Sequence, residues 1–510
     1  MDADVVCDLL AQRLWTQPGA SLLKTRLYLV LRQAILDGGI PTGIKLPPSR
    51  MLAEALMLGR NTVVRAYDQL LVEGYLETRV GDGTYVVESL AVPGRKPCSS
   101  AARLQGSVEL LSVRGRRIAG MKTSSAVQHG AFMPGIPDTE HFPFATWRRL
   151  LSKYIRREQS HLLNYGVGGF GPLRAELADY LRATRLIQCD PRQVMIFNGT
   201  HQAIDLCARL LCDNGDRVWM EEPGYWGART VLDAAGLNTV PIALDEKGMA
   251  PTAADWAHPP KLVFLSPSSQ YPTGITLSLE RRLELLANAR TRGAWLIEDD
   301  YDNELRYHNR PVASMFGLDG AERVIYMGTF SKVMYPGLRL AYIVVPPALV
   351  DAFGAGNAEM YREGRLTDQA ALAEFIAEGH LAAHLKRMRS IYRERRDTLR
   401  EILDTRLGGA LTASGGETGL HLLYYFNHPV VDTRVAEASI ARGVVIRPLS
   451  IYYIDKARAR QGMNLGYACV PVPKIAPAAD VLCQVIERQS VAGGRSPELA
   501  GICAVHDDPG

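Results

Sequence analysis

Long hydrophobic runs are missing from this chain of 510 residues. The longest apolar stretches, such as Leu340 to Val350, are short and broken by Pro346 and Pro347, which excludes a membrane-spanning helix of about 20 apolar residues. The stretch from Met1 to Ala20 carries Asp2, Asp4 and Asp8 and has no basic-then-apolar pattern, so no secretory signal is expected and the expected location is cytoplasmic. Cysteine is sparse: Cys7, Cys98, Cys189, Cys207, Cys212, Cys469, Cys483 and Cys503 form no CxxC pair, and no histidine-rich neighbourhood completes a zinc site. Buried free thiols and no bound metal are the expectation. Charge of one sign is also scarce. A formal net charge of +4 is too small to argue for nucleic-acid binding, because a localised basic face counts for more than the total.

What the chain does have is an ordinary globular composition, 47% hydrophobic and 22% charged, spread over a length that suits two or three domains. Three segments differ in character. Residues 21–88 show helical periodicity and then a glycine-punctuated hairpin. Residues 89–131 are rich in Ser, Gly, Ala and Arg, have little regular pattern and read as a linker, with Arg95, Lys96, Arg103, Arg114, Arg116, Arg117 and Lys122 against a single acid, Glu109. From 132 to 490, short apolar strands (Val194 to Phe197, Val218 to Met220, Leu262 to Leu265, Trp295 to Ile297, Val324 to Met327, Ala341 to Val345) alternate with amphipathic helices, which predicts an α/β sheet covered by helices. The last twenty residues read as frayed.

In the first segment Leu23, Leu27, Val30, Leu31, Ala34 and Ile35 recur at helical spacing, and Gly38-Gly39 stops that helix. Ser49 is placed to cap a second helix from Arg50 to about Met57. A third runs from Asn61 to Glu73 with Val63, Val64, Tyr67, Leu70 and Leu71 inward. Glu77 to Val87 makes a two-stranded hairpin around Gly81-Asp82-Gly83. This is the order of an α+β winged helix-turn-helix. The stretch LPPSRMLAEALMLGRNTVVRAYDQLLVEGYLETRVGDGTYV resembles the GntR-type DNA-binding domain over almost its whole length. That resemblance places Arg50 and Arg60 at phosphates and bases of double-stranded promoter DNA and Asn61, Thr62 and Arg65 at the start of the recognition helix in the major groove. Gly83 falls at the wing tip near the minor groove.

In the third segment Gly328-Thr329-Phe330-Ser331-Lys332 follows a strand, with Pro336-Gly337-Leu338-Arg339 just behind. A lysine at a strand end, hydroxyls before it and an arginine after it suit pyridoxal 5'-phosphate (PLP): the Lys332 amine forms the Schiff base, and Thr329, Ser331 and Arg339 reach the phosphate. Another strand runs into Glu298-Asp299-Asp300-Tyr301. It supplies an anion for the pyridine nitrogen and a phenol for the ring oxygen, Asp299 and Tyr301, with Asp300 in place of Asp299 if the register shifts by one. Asn198-Gly199-Thr200-His201-Gln202, between strand and helix, offers backbone N–H groups and Thr200 to a phosphate. Tyr225 in Glu221-Glu222-Pro223-Gly224-Tyr225 offers a stacking plate, and the loop Ser266 to Gly274 is of a kind that borders a cofactor.

From Phe132 to Arg488 these segments look like the fold-type I PLP-dependent aminotransferases. Fused to the GntR-type head they resemble the MocR regulators, a subfamily that includes PdxR-like proteins. The resemblance implies a homodimer with exchanged DNA-binding heads, and it implies that Tyr165, in Leu163-Asn164-Tyr165-Gly166, reaches the phosphate of the partner subunit. It further implies His201 among the cofactor residues. His384 to Arg389, shortly before Tyr392, also fits.

Departures from the pattern bear on function. Aminotransferases of this fold carry an arginine for the substrate carboxylate where this chain has Asn464, and an amide cannot replace a bidentate guanidinium. Gly227 leaves empty a place where some amino-acid-sensing relatives hold arginine. Arg447 is read as a surface residue before it is read as a substitute. The expected function is therefore a PLP-dependent transcription regulator that responds to PLP or to a PLP adduct with an amine or amino acid, in vitamin B6 or amino-acid metabolism. An aminotransferase with an accessory DNA-binding domain is the competing reading.

Overall fold

The computed structural model describes residues 1–16, 23–88, 110–120, 129–156, 161–307, 313–320 and 322–493. The chain divides into two compact units, Met1–Leu110 and Leu111–Gly510.

In the first unit, helices α1 (Ala3–Thr16), α2 (Leu23–Leu36), α3 (Ser49–Ala55) and α4 (Arg60–Val72) precede an antiparallel hairpin of β1 (Leu76–Arg79) and β2 (Gly83–Val86). The periodic apolar residues Leu27, Leu31, Leu52, Val63, Tyr67 and Leu70 bury into one core with Leu76 and Val86. Tyr67 donates a hydrogen bond to the Pro47 carbonyl at 2.9 Å, which ties α4 to the turn before α3.

Two helix starts lie one residue earlier than expected. Ser49 is the first residue of α3, not its cap; Pro48 stands before it in an extended conformation, and no side chain caps the helix. α4 begins at Arg60 with Gly59 as its boundary. A proline has its φ preset for a turn, and a glycine is a ready helix boundary, so each displaces the expected start by one position. Helix α1 was not anticipated. Val6, Leu10 and Leu14 recur at helical spacing and are fully buried in the same core, a periodicity that the acidic residues among them obscure.

The stretch expected to lack pattern contains a helix, α5 (Val113–Gly120), which corrects that expectation. It belongs to the larger unit, where Arg117 lies 3.7 Å from Asp233 on the helix Trp226–Ala234. Arg95, Lys96, Arg103, Glu109 and Lys122 lie outside the described residues, as do residues 494–510 of the segment read as frayed.

The larger unit is built on a mixed sheet of β3 (Val194–Phe197), β4 (Arg217–Glu222), β5 (Asn238–Asp245), β6 (Gly248–Met249), β7 (Leu262–Leu265), β8 (Trp295–Asp299), β9 (Val324–Thr329) and β10 (Ala341–Val344). Their order is β3-β10-β9-β8-β7-β4-β5-β6. Pairings from β9 through β8, β7 and β4 to β5 are parallel, and β10 runs antiparallel to both β9 and β3. Successive side chains enter different cores. Val194, Trp219, Val263, Leu296 and Val324 pack on one face, Met195, Val218, Phe264, Ile297 and Ile325 on the other. Such continuous apolar strands are what a sheet buried on both sides requires.

A smaller antiparallel sheet, β11 (Leu411–Ser414), β12 (His421–Phe426), β14 (Gly462–Gly466) and β13 (Arg447–Pro448) in that order, follows the long helix His380–Leu407. Among the described residues no helix is long and apolar enough to cross a membrane.

Because β3, β4, β7, β8 and β9 share one direction, their carboxyl ends line a single edge of the sheet, the place where open α/β sheets hold ligands.

Candidate functional site

At that edge lies a cavity of about 260 Å³ whose wall includes Lys332, Asp299, Tyr301, Tyr225, Thr200, His201, Thr329, Ser331 and Arg339. Asp299 and Thr329 end strands β8 and β9, Thr200 and His201 open the helix that follows β3, and the others lie on segments that follow a strand. The Lys332 amine donates to the Gly135 carbonyl at 2.9 Å. Gly135 has φ +76°, which glycine adopts without strain, and a Cβ there would stand 2.7 Å from the lysine nitrogen, so a larger residue would push the amine from this place. Burial lowers the Lys332 pKa, opposed by the charges of Asp299 and Asp302.

Asp299, the last residue of β8, and Asp300 just after it point to opposite sides, as the period of two along extended backbone requires. Asp299 faces the cavity; its Oδ1 is buried without a hydrogen-bond partner, and burial reinforced by Asp300 pushes its pKa up to about 7. Asp300 turns to the other side, where it pairs with Arg185 at 2.5 Å and accepts from the Tyr326 hydroxyl at 2.6 Å.

Thr200 opens the helix Thr200–Leu211, so the free N–H groups of its first turn face the cavity. Gly199 precedes it at φ +102°, and a Cβ there would come within 3.0 Å of the Arg339 guanidinium. Thr329 accepts from the Ser331 N–H at 3.2 Å. The His201 Nε2 lies 3.1 Å from the Tyr225 hydroxyl, and burial with nearby Arg339 lowers the imidazole pKa. Gly227 has a local reason to be glycine: a Cβ there would fall 2.4 Å from the Tyr225 ring. No side chain fits at that position while Tyr225 keeps its place.

Tyr165 is not in this cavity. It is 78% exposed, with the Arg362 guanidinium 4.9 Å from its ring centroid. The segment His384 to Arg389 lies in the long helix, where His384 is buried with its Nε2 3.0 Å from the Val333 carbonyl.

Tyr271, from the loop Ser266 to Gly274, lines the wall, and so do Tyr452 and His421, which were not singled out from the sequence. Arg447 also lines the cavity, half-buried, which corrects its reading as a surface residue. Asn464 is fully buried beside it in the β13–β14 register and donates to the Tyr452 hydroxyl at 3.3 Å. Glu221 is buried behind the site, accepts from the Ser266 N–H at 3.0 Å, and has its pKa raised by burial to about 8.

In the first unit Arg60, Asn61 and Arg65 are exposed and Thr62 is half-buried at the start of α4, while Val63, Ala66, Tyr67 and Leu70 face inward. Arg50 is exposed on α3, with Glu54 4.0 Å away. At the hairpin, Gly83 has φ +145° and leaves room for Lys45, which pairs with Asp82 at 2.7 Å.

Residues 23–86 match the bacterial regulatory proteins of the gntR family, and residues 135–470 match aminotransferase class I and II. Over 448 residues the chain is 42% identical to the probable rhizopine catabolism regulatory protein MocR of Rhizobium meliloti, covering 87% of this chain and 89% of that one. It is 31% identical to the pyridoxine biosynthesis transcriptional regulator PdxR of Corynebacterium glutamicum, covering 84% of this chain and 89% of that one. Among solved structures, kynurenine aminotransferase of Pyrococcus horikoshii superposes with a TM-score of 0.65 at 26% identity, covering 75% of this chain and 96% of that one.

Proposed function

The chain belongs to the MocR-type transcription regulators of the gntR family, whose larger domain is of aminotransferase class I and II, and from that premise we propose that it holds PLP on Lys332 and adjusts its grip on promoter DNA in response to PLP and a small amine or amino acid. The observation that carries this reading is the convergence of an amine, an unpartnered buried carboxylate and a helix N-terminus on one cavity.

The residues fit the cofactor. Bound PLP supplies an aldehyde that condenses with a primary amine and a ring that withdraws electrons. Burial lowers the Lys332 pKa, a change that favours the uncharged, nucleophilic form of the amine. Asp299 offers its unpartnered oxygen to the protonated ring nitrogen, and Tyr301 holds the ring oxygen. Thr200, Thr329, Ser331, Arg339 and the helix N-terminus hold the phosphate. Tyr225 and His201 flank the ring. Tyr165, exposed on its own subunit, serves the partner's phosphate in a homodimer with exchanged heads, and the protein acts in the cytoplasm. Arg50, Arg60, Asn61, Thr62, Arg65 and Gly83 form the surface that meets DNA.

An aminotransferase with an accessory head would transfer amino groups steadily from an amino acid to a keto acid. Asn464 in place of the carboxylate-binding arginine favours the regulator. Footprinting the purified protein on DNA flanking its own gene, with and without PLP, tests the proposal: protection that PLP alters supports it, and equal indifference to every fragment and to PLP sinks it.

Two substitutions separate the ends of the molecule. Arg60→Ala should weaken operator binding by about 1–3 kcal/mol in a gel-shift titration while PLP uptake stays normal. Unchanged DNA affinity would move the reading surface elsewhere. Asp299→Asn should weaken PLP uptake, read by equilibrium absorption, and should change the pH dependence of stability of the cofactor-free protein. The folded pKa of about 7 exceeds the ordinary 3.8, so the folded state binds more protons between those values and loses stability as pH rises through that window. The asparagine variant should lack this component. Identical melting profiles against pH would show that Asp299 carries no such burden.

A further inference from the structure

In sequence, helix α5 lies in the stretch that joins the winged head to the aminotransferase-like domain, and it buries none of its side chains. Val113 and Ile118 are exposed on it. A helix of eight residues is too short to stand alone in water, so α5 depends on what it touches. It touches the helix Trp226–Ala234, where the Arg117 guanidinium lies 3.7 Å from the Asp233 carboxylate.

Asp233 has reason to hold a cation. Its side chain is 9% exposed and sits in the last turn of its helix, where unpaired carbonyls make a negative charge unwelcome. The Thr239 hydroxyl donates to Oδ1 at 2.8 Å, which supplies a hydrogen bond and no charge. Among the described residues, Arg117 is the cation within ion-pair distance of Asp233.

The other end of that helix is the cavity wall. Tyr225 precedes the helix, Trp226 opens it, and both line the cavity. The Tyr225 carbonyl accepts from the Arg229 N–H at 3.3 Å, and the Tyr225 ring lies so close to the first turn that a Cβ on Gly227 would fall 2.4 Å from it. Gly227 and Ala228 are the buried residues of this turn, so no large side chain locks it in place. The helix has nine residues and spans about 13 Å. A force on the Tyr225 ring at one end therefore bears on Asp233 at the other.

We propose that α5 is a strap whose hold on the larger domain is set by the contents of the cavity. A ring stacked on Tyr225 steadies the helix Trp226–Ala234, Asp233 keeps Arg117, and α5 stays folded and docked; without that ring the hold loosens. This rests on the reading of the cavity as a PLP site and of the head as the DNA reader. The pair suits a switch because it is weak: Arg117 is 61% exposed, and such pairs contribute little. Docked and released α5 are thus close in free energy, and a ligand that prefers one of them moves the balance. Release lengthens the tether to the head, since eight residues rise about 12 Å as a helix and reach about 26 Å when extended.

Hydrogen exchange of residues 113–120 in the full-length protein, with and without PLP, tests the strap directly. PLP should slow exchange there by about threefold or more in the unaltered protein. It should not do so in Asp233→Asn, which keeps an acceptor for Thr239 and loses the charge. Exchange that PLP leaves unchanged at 113–120 overturns the strap. In gel shifts on the fragment identified by footprinting, Arg117→Gln and Asp233→Asn should develop the parent's visible band with PLP yet lose most of the PLP-dependent change in DNA affinity, and Arg117→Lys should keep it. The visible band and the thermal melt of each variant report cofactor loading and folding. A response that survives undiminished in Arg117→Gln overturns the strap alone. An unaltered protein whose DNA affinity ignores PLP overturns the regulatory reading, while the exchange measurement still decides the strap.

Discussion

Exchanging Lys332 for alanine should leave a folded protein that no longer develops the visible band of a lysine imine with PLP and whose DNA binding no longer changes when PLP is added. The expectation is a complete loss because the amine has no substitute among the described residues lining the cavity: the wall's other nitrogen-bearing side chains are guanidinium, imidazole and indole groups, none of which is a primary amine. Stability should change little, since the amine's hydrogen bond in the structure is to the Gly135 carbonyl, an acceptor that the cavity can solvate. Residual, non-covalent binding of PLP, without the imine's band, is also expected, because Asp299, Arg339 and the first turn of the helix Thr200–Leu211 remain. Absorption spectra and gel shifts, each with and without PLP, provide the check. A PLP-dependent shift in DNA affinity that survives in the variant would refute the role given to Lys332, whatever the spectrum shows.

The elements that carry function were legible where chemistry sits next to a strong local pattern. Lys332 and Thr200 each follow a buried apolar strand, so direction and neighbours placed both at one edge before any contact was known. The winged head was legible for the same reason: Val63, Tyr67 and Leu70 mark the inner face of α4 and leave Arg60, Asn61 and Arg65 outside. Legibility failed by one residue wherever a proline or glycine set the boundary, at Pro48 and Gly59. It failed for residues contributed by the smaller sheet and by the turn Leu449–Tyr452 that follows β13. His421, Arg447 and Tyr452 reach the cavity because strands distant in sequence fold over it, and no local spacing encodes that approach. Asp299 and Asp300 stood between these cases. A period of two assigns them to opposite faces but does not say which face is which. That depends on Arg185, on the helix Gly171–Arg185, which takes Asp300 away from the cavity.

That same pairing yields the largest expected loss of stability. Asp300→Ala should destabilise the larger unit by about 3–5 kcal/mol, because it removes the ion-pair partner of a guanidinium in the interior. Both side chains of the pair are nearly inaccessible, 3% for Arg185 and 1% for Asp300. Arg185 would lose its ion-pair partner at 2.5 Å while keeping the Ser268 hydroxyl at 2.9 Å and the field of buried Glu298, and the Tyr326 hydroxyl would lose its acceptor. In a thermal melt of the unit's own transition, this corresponds to a fall on the order of 10 °C. Replacing both partners, Arg185→Leu with Asp300→Leu, should recover much of that loss, since a buried pair removed whole leaves no unmatched charge. The double variant also bears on the site. Asp300 helps to raise the pKa of Asp299, so its removal should lower that pKa and move the pH dependence of cofactor-free stability toward the acid side. If Asp300→Ala melts with the parent protein, the pair is not holding the strand end in place. The separation of one carboxylate into the core and its neighbour into the cavity would then need another cause.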